Sequence, residues 1–372
     1  MRYLSSLKEV SLHSLHADYE DDTFRIFNPS VAVFENRIIS TFRATNTERN
    51  DRNSKFYLLP SWNALRNELI MGELNEDFSM ARQVQVELKD RKSGAPLSPN
   101  GIEDIRIVTS PDGRLEGMGC LPSSNFRIKP SGALGFASDF TTKMARLQFG
   151  PGYEIAKLTT YESPFKRRME KNWAPFYFEG RFCVVYQWNP LIILELLPDG
   201  STRFLKWFEW SDQLKTLRGS SQGIATKNGF LFVVHWKFTH AGKVRFAHHF
   251  IELGHDLRPL RLSECFGMIS STQLEYCTGV ALFRDRCLLS FGLNDSLPFL
   301  FDMDAGLVER LFTQPLRPIA EDTAAMASPD QAAALQAAVE FPEVVPPNFM
   351  ERLKIKGREL AVRVAERILP IG

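Results

Sequence analysis

The sequence contains little cysteine, and none of it has metal-binding spacing. The 372 residues include five scattered cysteines, Cys120, Cys183, Cys265, Cys277 and Cys287, and no CxxC pair. An odd number of scattered cysteines argues against both a disulfide framework and a structural zinc site. We therefore expect reduced, buried thiols.

Catalytic motifs of several large enzyme classes are also missing. The sequence has no Gly-rich phosphate loop, no GxSxG segment and no paired Cys/His dyad. His248 and His249 are adjacent in a strand-like segment, so their side chains point to opposite faces of a sheet and are a poor metal site. We expect neither a metal nor a cofactor.

The chain lacks an excess of charge and a long apolar run. Its formal net charge is +1, which does not favour nucleic acid as a partner. The N-terminus has no apolar signal core, and the apolar run 191–197 is interrupted by Glu195. These features favour a cytoplasmic protein with no membrane span.

Aromatic residues and short hairpin signals are abundant. Among the aromatic residues are 29 phenylalanines, which favour strands. Five times the chain repeats a β-like stretch, a two-residue polar turn and a second β-like stretch, with turns at 35–36, 112–113, 179–180, 228–229 and 284–285. Asn-Gly and Asp-Gly are strong hairpin signals because tight primed turns need positive φ. A hairpin about every 40 to 70 residues predicts one antiparallel sheet per repeat, as in a β-propeller blade.

Polar residues recur in phase with these turns, on both sides of each hairpin. The preceding set comprises Asn28, Glu103-Asp104, Lys171-Asn172, Gln222 and Glu275-Tyr276. The following set includes Arg43, Tyr186-Gln187, His235 with Lys237, and Asn294-Asp295. Because the two ends of a hairpin are neighbours opposite its turn, five hairpins around one axis would bring these groups to one mouth of a channel.

The pattern predicts an all-β fold, a five-bladed β-propeller with a short C-terminal helical extension. We expect residues 1–27 to close the propeller, 28–315 to form it, and 316–372 to form the extension. The alternative is a β-meander or sandwich whose strand ends are ordinary polar loops.

Two helices are predicted in the extension. Ser328-Pro329-Asp330-Gln331 resembles a capping box that opens an Ala-rich helix, and a second helix covers about 348–369. The second helix has one apolar face and several basic residues elsewhere. Packing against a blade and peripheral contact with an anionic membrane both remain open for it.

Three segments carry residues suited to sugar chemistry. A carboxylate at Glu103-Asp104, at the entrance of an inner strand, would have a raised pKa if partly desolvated, as a general acid requires; pairing with Arg106 is the alternative. Lys171 and Asn172 offer a cation and an amide, and Trp173 offers a stacking face, with a surface Lys beside a core Trp as the alternative. His235 and Lys237 end a strong strand together.

At these positions the sequence resembles the family-130 glycoside hydrolases and phosphorylases, five-bladed propellers that act on β-mannosides. The motifs are short, loosely kept and spread over about residues 28 to 300. They are Asn28-Pro29 followed by Arg43, Glu103-Asp104-Ile105-Arg106, Lys171-Asn172, and Gly292-Leu293-Asn294-Asp295. The mannosyltransferase family 108 is also similar.

The resemblance implies that Asp104 is the proton donor of an inverting reaction, acting through a sugar hydroxyl. The resemblance, the in-phase polar repeat and the stacking face of Trp173 together predict a set of substrate-binding residues: Asn28, Arg43, Glu103, Asn172, Trp173, Gln222, His235, Tyr276 and Asp295. An implied phosphate or donor site comprises Arg43, Lys171 and Lys237. The expected partner is an oligosaccharide, a sugar phosphate or a nucleotide sugar.

Two departures bear on the reaction type. Ile105 replaces the proline of the Glu-Asp-Pro-Arg segment, and Tyr186-Gln187 stands where the phosphorylases have a His-Arg pair. We favour inverting glycosyl transfer, of phosphorylase or glycosyltransferase type, because the predicted mouth is rich in cations. An inverting β-mannoside hydrolase with Glu275 or Asp295 as base, a non-catalytic sugar-binding propeller and a protein-interaction propeller are the alternatives.

Overall fold

The chain folds almost entirely as antiparallel β-sheet. The computed structural model describes residues 1–50, 55–60, 62–89, 96–123, 126–136, 140–240, 243–270 and 272–321. Within these ranges the one α-helix is α1 (Ala305–Leu311), and two 3₁₀ turns lie at Leu4–Ser6 and Asp212–Leu214. None of the helices in these ranges has the length and apolar character needed to cross a membrane.

The strands follow one another with short connections. The first fourteen are β1 (Arg2–Tyr3), β2 (Val10–Ser14), β3 (Arg25–Phe34), β4 (Arg37–Thr45), β5 (Thr47–Asn50), β6 (Lys55–Leu58), β7 (Asn67–Leu74), β8 (Met80–Val86), β9 (Glu103–Thr109), β10 (Leu115–Pro122), β11 (Phe126–Ile128), β12 (Leu134–Phe136), β13 (Thr142–Phe149) and β14 (Ile155–Tyr161). The rest are β15 (Ala174–Phe178), β16 (Arg181–Trp188), β17 (Leu191–Leu196), β18 (Thr202–Phe208), β19 (Arg218–Gly219), β20 (Ile224–Thr226), β21 (Gly229–His240), β22 (Lys243–Gly254), β23 (Pro259–Leu262), β24 (Phe266–Gly267), β25 (Glu275–Phe283), β26 (Arg286–Leu293), β27 (Leu297–Asp304) and β28 (Gln314–Pro315).

All five predicted turns join strands that pair with each other: β3 with β4, β9 with β10, β15 with β16, β20 with β21, and β25 with β26. The turn at Glu35 (φ 49°) and Asn36 (φ 58°) has positive φ at both positions, as a primed turn requires. Glu179 and Gly180 do the same. The local turn signals therefore identified real hairpins.

Four sheets have the regular four-stranded form of a propeller blade. They are β3-β4-β7-β8, β9-β10-β13-β14, β15-β16-β17-β18 and β25-β26-β27-β2. The fold is thus all-β and propeller-like, but the prediction of five blades is wrong, because four sheets have this form. The fourth hairpin lies in an eight-stranded sheet instead. Its strands β21 and β22 pair with each other and are each 12 residues long. Strand β21 also pairs with β19 and β20, and β22 also pairs with β23 and β24. Strand β1 then pairs with β24, and β28 pairs with β23.

The hydrophobic core lies between the sheets. In the described part of the chain, five clusters of buried apolar residues each fill the space between two neighbouring sheets. One of these clusters lies between the β25–β27 sheet and the β3–β8 sheet, which are far apart in the sequence. Each sheet is therefore covered on both faces, and the inner strands meet around a common axis.

The N-terminal segment pairs with the last part of the described chain. Strand β2 adds antiparallel to β27 and completes its sheet, while Leu15 donates its backbone N–H to the carbonyl of Pro298. The boundaries proposed for the three segments remain a prediction. Both predicted C-terminal helices lie outside the described residues; the short helix α1 belongs to the β27 connection.

Candidate active site

Three inner strands carry or follow a polar residue in left-handed backbone conformation. Asn28 has φ 47°, Asp104 has φ 48° and Asn172 has φ 63°. In β3 and β9 these residues coincide with register shifts, where one extra residue breaks the pairing. Such bulges re-aim side chains, and backbone strain of this kind concentrates at functional sites. The bulges turn the Asn28 and Asp104 side chains toward each other.

Asp104 is held by groups from a neighbouring sheet. Its Oδ1 accepts hydrogen bonds from Asn28 Nδ2 at 2.9 Å and from Arg43 Nη1 at 3.2 Å. Arg43 also donates to Glu103 Oε1 at 2.9 Å and to Asn67 Oδ1 at 2.9 Å. The Asp104 side chain is 23% exposed, so a ligand can still reach it.

These contacts set the acidity of the two neighbouring carboxyl groups. Burial by itself raises the pKa of Asp104, but Arg43, the Asn28 hydrogen bond and Arg106 together bring it below its ordinary value. Burial, with Asp104 adding to it, raises the pKa of Glu103 despite Arg43. The expectation of a raised pKa at Asp104 is wrong, because it considered desolvation without these partners across the sheets.

A glycine makes room for this arrangement. A Cβ placed on Gly292 of β26 would lie 2.0 Å from Asn28 Oδ1. Only a residue without a side chain lets the Asn28 amide occupy its position against Asp104. The Gly292 to Asp295 motif therefore contributes space as well as its carboxylate.

Asp295 is the third carboxyl group at this end of the channel. It follows β26, and its side chain is 16% exposed with Arg49 Nε at 3.8 Å. Burial raises the pKa of Asp295 to about 6, and Asp104 and Glu103 add to the rise, whereas Arg49 and Arg43 oppose it. Asp104 and Asp295 therefore sit within electrostatic reach but differ in how readily they ionise.

The predicted amide and aromatic residues form a second group on the other side of Asp104. Tyr276 Oη donates to Asn172 Oδ1 at 3.0 Å, and the Tyr276 ring meets the His235 ring edge to face at 5.3 Å. His235 shares a 2.8 Å hydrogen bond with Ser220 Oγ. Burial, then His248, and then the cations around it lower the pKa of His235 well below its ordinary value. His235 is therefore neutral at pH 7.

Three residues predicted to meet a ligand are instead structural. Trp173 is fully buried and donates its indole N–H to Glu170, so it offers no stacking face. Gln222 is 1% exposed and donates to the carbonyls of Val31 and Val280, which ties inner strands together. Glu275 is buried and accepts three backbone N–H groups from residues 268–270, so it is not placed as a base.

Three cations lie near His235. Lys171, Lys237 and Arg218 are all exposed, and none of them forms an ion pair within the described ranges. Burial, then Arg218 and Lys171, lower the pKa of Lys237, which places the three charges within mutual reach. Arg43 differs from these three cations because it forms ion pairs with Glu103 and Asp104, which balance its charge. Its predicted contact with phosphate stays a prediction.

Sequence reasoning missed Asn67, Arg49 and Arg218. Asn67 opens the third strand of its sheet and Arg49 belongs to the inserted hairpin β5–β6, so neither falls at the repeated hairpin positions. Arg218 pairs with His235 across β19 and β21, which puts both on one face of the sheet. Its place just before Gly219-Ser220-Ser221 was the available signal.

Comparison with known proteins supports the fold. No family model and no curated protein matches the sequence. Among solved structures, a candidate glycoside hydrolase from Parabacteroides distasonis is 12% identical, with a TM-score of 0.52 over 76% of this chain and 87% of that chain. A glycosyl hydrolase from Bacteroides ovatus is 14% identical, with a TM-score of 0.50 over 80% and 87%.

A β-1,2-mannobiose phosphorylase from Listeria innocua is 12% identical, with a TM-score of 0.48 over 79% of this chain and 94% of that chain. The two glycoside hydrolase structures agree with the predicted resemblance at the level of the fold. At these identities the likeness concerns the fold alone.

Proposed function

We propose that the chain is a carbohydrate-active enzyme that carries out inverting glycosyl transfer on β-mannoside-like sugars. The observation that carries the proposal is Asp104, a partly exposed carboxylate held in a strained conformation by Asn28 and Arg43. Fixed carboxylates of this kind move protons at glycosidic oxygens. The sugar class comes from the motif resemblance alone, whereas the glycoside hydrolases of the same fold support action on a carbohydrate.

The geometry favours transfer to an acceptor, with Asp104 acting first as a base. An acceptor hydroxyl oxygen attacks the anomeric carbon of a sugar phosphate or nucleotide sugar on the face opposite the phosphate. The bond from carbon to phosphate oxygen breaks, the phosphate leaves with the electron pair, and Asp104 takes the hydroxyl proton. The lowered pKa of Asp104 suits this direction, since the carboxylate is ionised at neutral pH.

Lys171, Arg218 and Lys237 supply the charge that a leaving phosphate needs. Unpaired cations at the end of a channel attract an anionic ligand and stabilise the charge that develops on it. In the reverse direction, phosphate attacks a β-mannoside and protonated Asp104 gives its proton to the departing sugar oxygen. The ion pair of Asp104 with Arg43 lies at this end of the channel, so it does not withdraw the carboxylate from the site.

Hydrolysis is the second candidate because Asp295 offers another carboxyl group. An inverting hydrolase needs a base that activates water, and Asp295 is electrostatically coupled to Asp104. Hydrolysis of a β-mannoside that proceeds without phosphate, together with no reaction of mannose 1-phosphate or GDP-mannose, would establish this candidate instead.

The first test is Asp104→Asn, assayed with mannose 1-phosphate or GDP-mannose and a mannose acceptor. The amide keeps the shape but cannot take a proton, so turnover should fall by about 10²–10⁴-fold with the fold retained. Glu162→Gln, which changes an exposed carboxylate on a loop before β15, serves as the control. A loss smaller than tenfold would exclude Asp104 from proton transfer.

A further inference from the structure

Arg106 is a fully buried arginine at the centre of the channel. It lies on β9 two residues after Asp104 and is 1% exposed. A buried guanidinium is costly unless its N–H groups find partners. In the described part of the chain, its hydrogen-bond partners are neutral oxygens and none is a carboxylate.

These partners come from four different sheets or their connections. Nη1 donates to the carbonyl of Asp104 at 3.0 Å, and Nη2 donates to Tyr276 Oη at 2.6 Å. Nη2 also approaches Asn172 Oδ1 at 3.5 Å, and Nε donates to the carbonyl of Ser220. One side chain thus joins the second sheet, the start of the third, the eight-stranded sheet and the β25 sheet.

The contacts continue to groups that face the site. Tyr276 Oη passes a hydrogen bond on to Asn172 Oδ1, closing a triangle with the guanidinium. Ser220, whose carbonyl accepts from Arg106, holds the His235 ring through its hydroxyl. Arg106 also donates to the backbone carbonyl of Asp104, the residue whose backbone is in the left-handed conformation.

We propose that Arg106 is the positioning residue of the site, which locks Asp104 in place relative to Asn172 and Tyr276. An apolar side chain of similar size would fill the same space at less cost in desolvation. A buried polar group with several partners instead fixes one arrangement of them. The acid/base and the sugar-facing amide then keep one geometry, although they belong to different sheets. This inference rests on the proposed role of Asp104.

The test separates the charge of Arg106 from its shape. The titratable and charged groups facing Asp104 are Arg43, Glu103, Arg106, Asp295, Tyr276 and Cys120. Arg106 lowers the pKa of Asp104, so Arg106→Met should move the acid limb of the rate profile to higher pH. Arg106→Lys keeps the charge but cannot reach all four partners. The acid limb of its rate profile should therefore stay at the wild-type pH, while kcat falls.

For both variants we expect kcat to fall by roughly a hundredfold, as when a reacting group is misplaced by about 1 Å. The matched control is Arg146→Met. Arg146 is also largely buried in the second sheet, but it binds Glu116 and Tyr177, away from Asp104. Its loss should lower stability and leave the pH profile of turnover unchanged. A folded Arg106→Met protein with unchanged kcat and pH profile would overturn the proposal.

Two further measurements keep the inference testable. If Arg106→Met does not fold, Tyr276→Phe removes the hydroxyl between Arg106 and Asn172 alone, and an unchanged kcat there would also overturn it. If the wild type turns over none of the donors, the proposed function fails. In that case, NMR titration of the Asp104 carboxyl carbon, assigned with Asp104→Asn, still tests the role of Arg106. A titration midpoint in Arg106→Met equal to that of the wild type would reject the positioning role.

Discussion

At the scale of single residues, the exposed cations are the groups that distinguish transfer from hydrolysis. If the proposed transfer reaction is right, truncating Lys171 or Arg218 to Ala removes a charge-assisted contact to phosphate, and the KM for the phosphate-bearing donor should rise roughly ten- to a hundredfold. Lys157→Ala, on the outer strand β14, is the control. Initial rates against donor concentration provide the measurement, and an unchanged KM in both site variants would place the anion elsewhere.

Asp295 gives a prediction that needs no substrate. Its pKa is raised to about 6, so the folded protein binds this proton more tightly than the unfolded chain does. The resulting stability is present below pH about 4 and is lost as pH rises to about 6. Asp295→Asn cannot ionise, so its advantage over wild type should grow by about 1–3 kcal/mol between pH 4 and pH 8.

Urea unfolding at several pH values measures this difference, because titrating groups that do not interact with Asp295 cancel between the two proteins. Asp285→Asn, which makes the same substitution in the exposed turn between β25 and β26, is the matched control. A difference for Asp295→Asn that is flat from pH 4 to pH 8 would mean that Asp295 ionises normally in the folded state.

At the scale of elements, the packing of β26 against β3 positions the hydrogen bond from Asn28 to the proposed catalytic residue, Asp104. The Cβ in Gly292→Ala would meet the Asn28 amide, so Asn28 must leave Asp104. We expect turnover to fall about tenfold, because one hydrogen bond to a charged group is lost. Asn28→Ala should have a similar effect, and the double variant should be no worse than either single one. Losses that multiply would show that the two residues act separately.

The hairpins were predictable because their signals are local, whereas the sheet edges were not. Asn36, Gly113 and Gly229 mark turns because asparagine and glycine tolerate positive φ. This signal can be read from a few neighbouring residues of the sequence. The pairing of β1 with β24, and of β28 with β23, joins segments far apart in the chain and leaves no local pattern. The inserted hairpins β5–β6 and β11–β12 carry no Asn-Gly or Asp-Gly signal in their described residues.

The candidate site shows the same division. The in-phase polar repeat identified Asp104, Asn28, Asn172, Tyr276 and Asp295 as residues that the fold brings near one another. The direction of the Asp104 pKa could not be predicted from the repeat, because it depends on which cation approaches from another sheet. Burial of Trp173 likewise depends on packing between the second and third sheets.

At the scale of the whole molecule, the N-terminal strand joins the last sheet to the first. Strand β2 completes the sheet of β25–β27, and Leu15, 1% exposed, packs in the cluster between that sheet and the β3–β8 sheet. If the sheets form one closed ring, a cavity at this seam lowers the stability of every sheet at once. Leu15→Ala should therefore lower the free energy of unfolding by about 2–5 kcal/mol.

The matched control for this seam is Leu12→Ala, which truncates a 41% exposed leucine on β2 itself and should change stability by less than about 0.5 kcal/mol. Unfolding of Leu15→Ala, followed by both tryptophan fluorescence and circular dichroism, should remain a single transition shifted to lower denaturant concentration. Trp62 packs against the cluster at the seam, so both proteins carry Trp62→Phe in this experiment. The remaining tryptophans, among them Trp173 and Trp188 on sheets opposite the seam, must then shift with the rest if closure couples the ring. Two separate transitions, with fluorescence unmoved, would show that the sheets unfold independently and that β2 stabilises its own sheet alone.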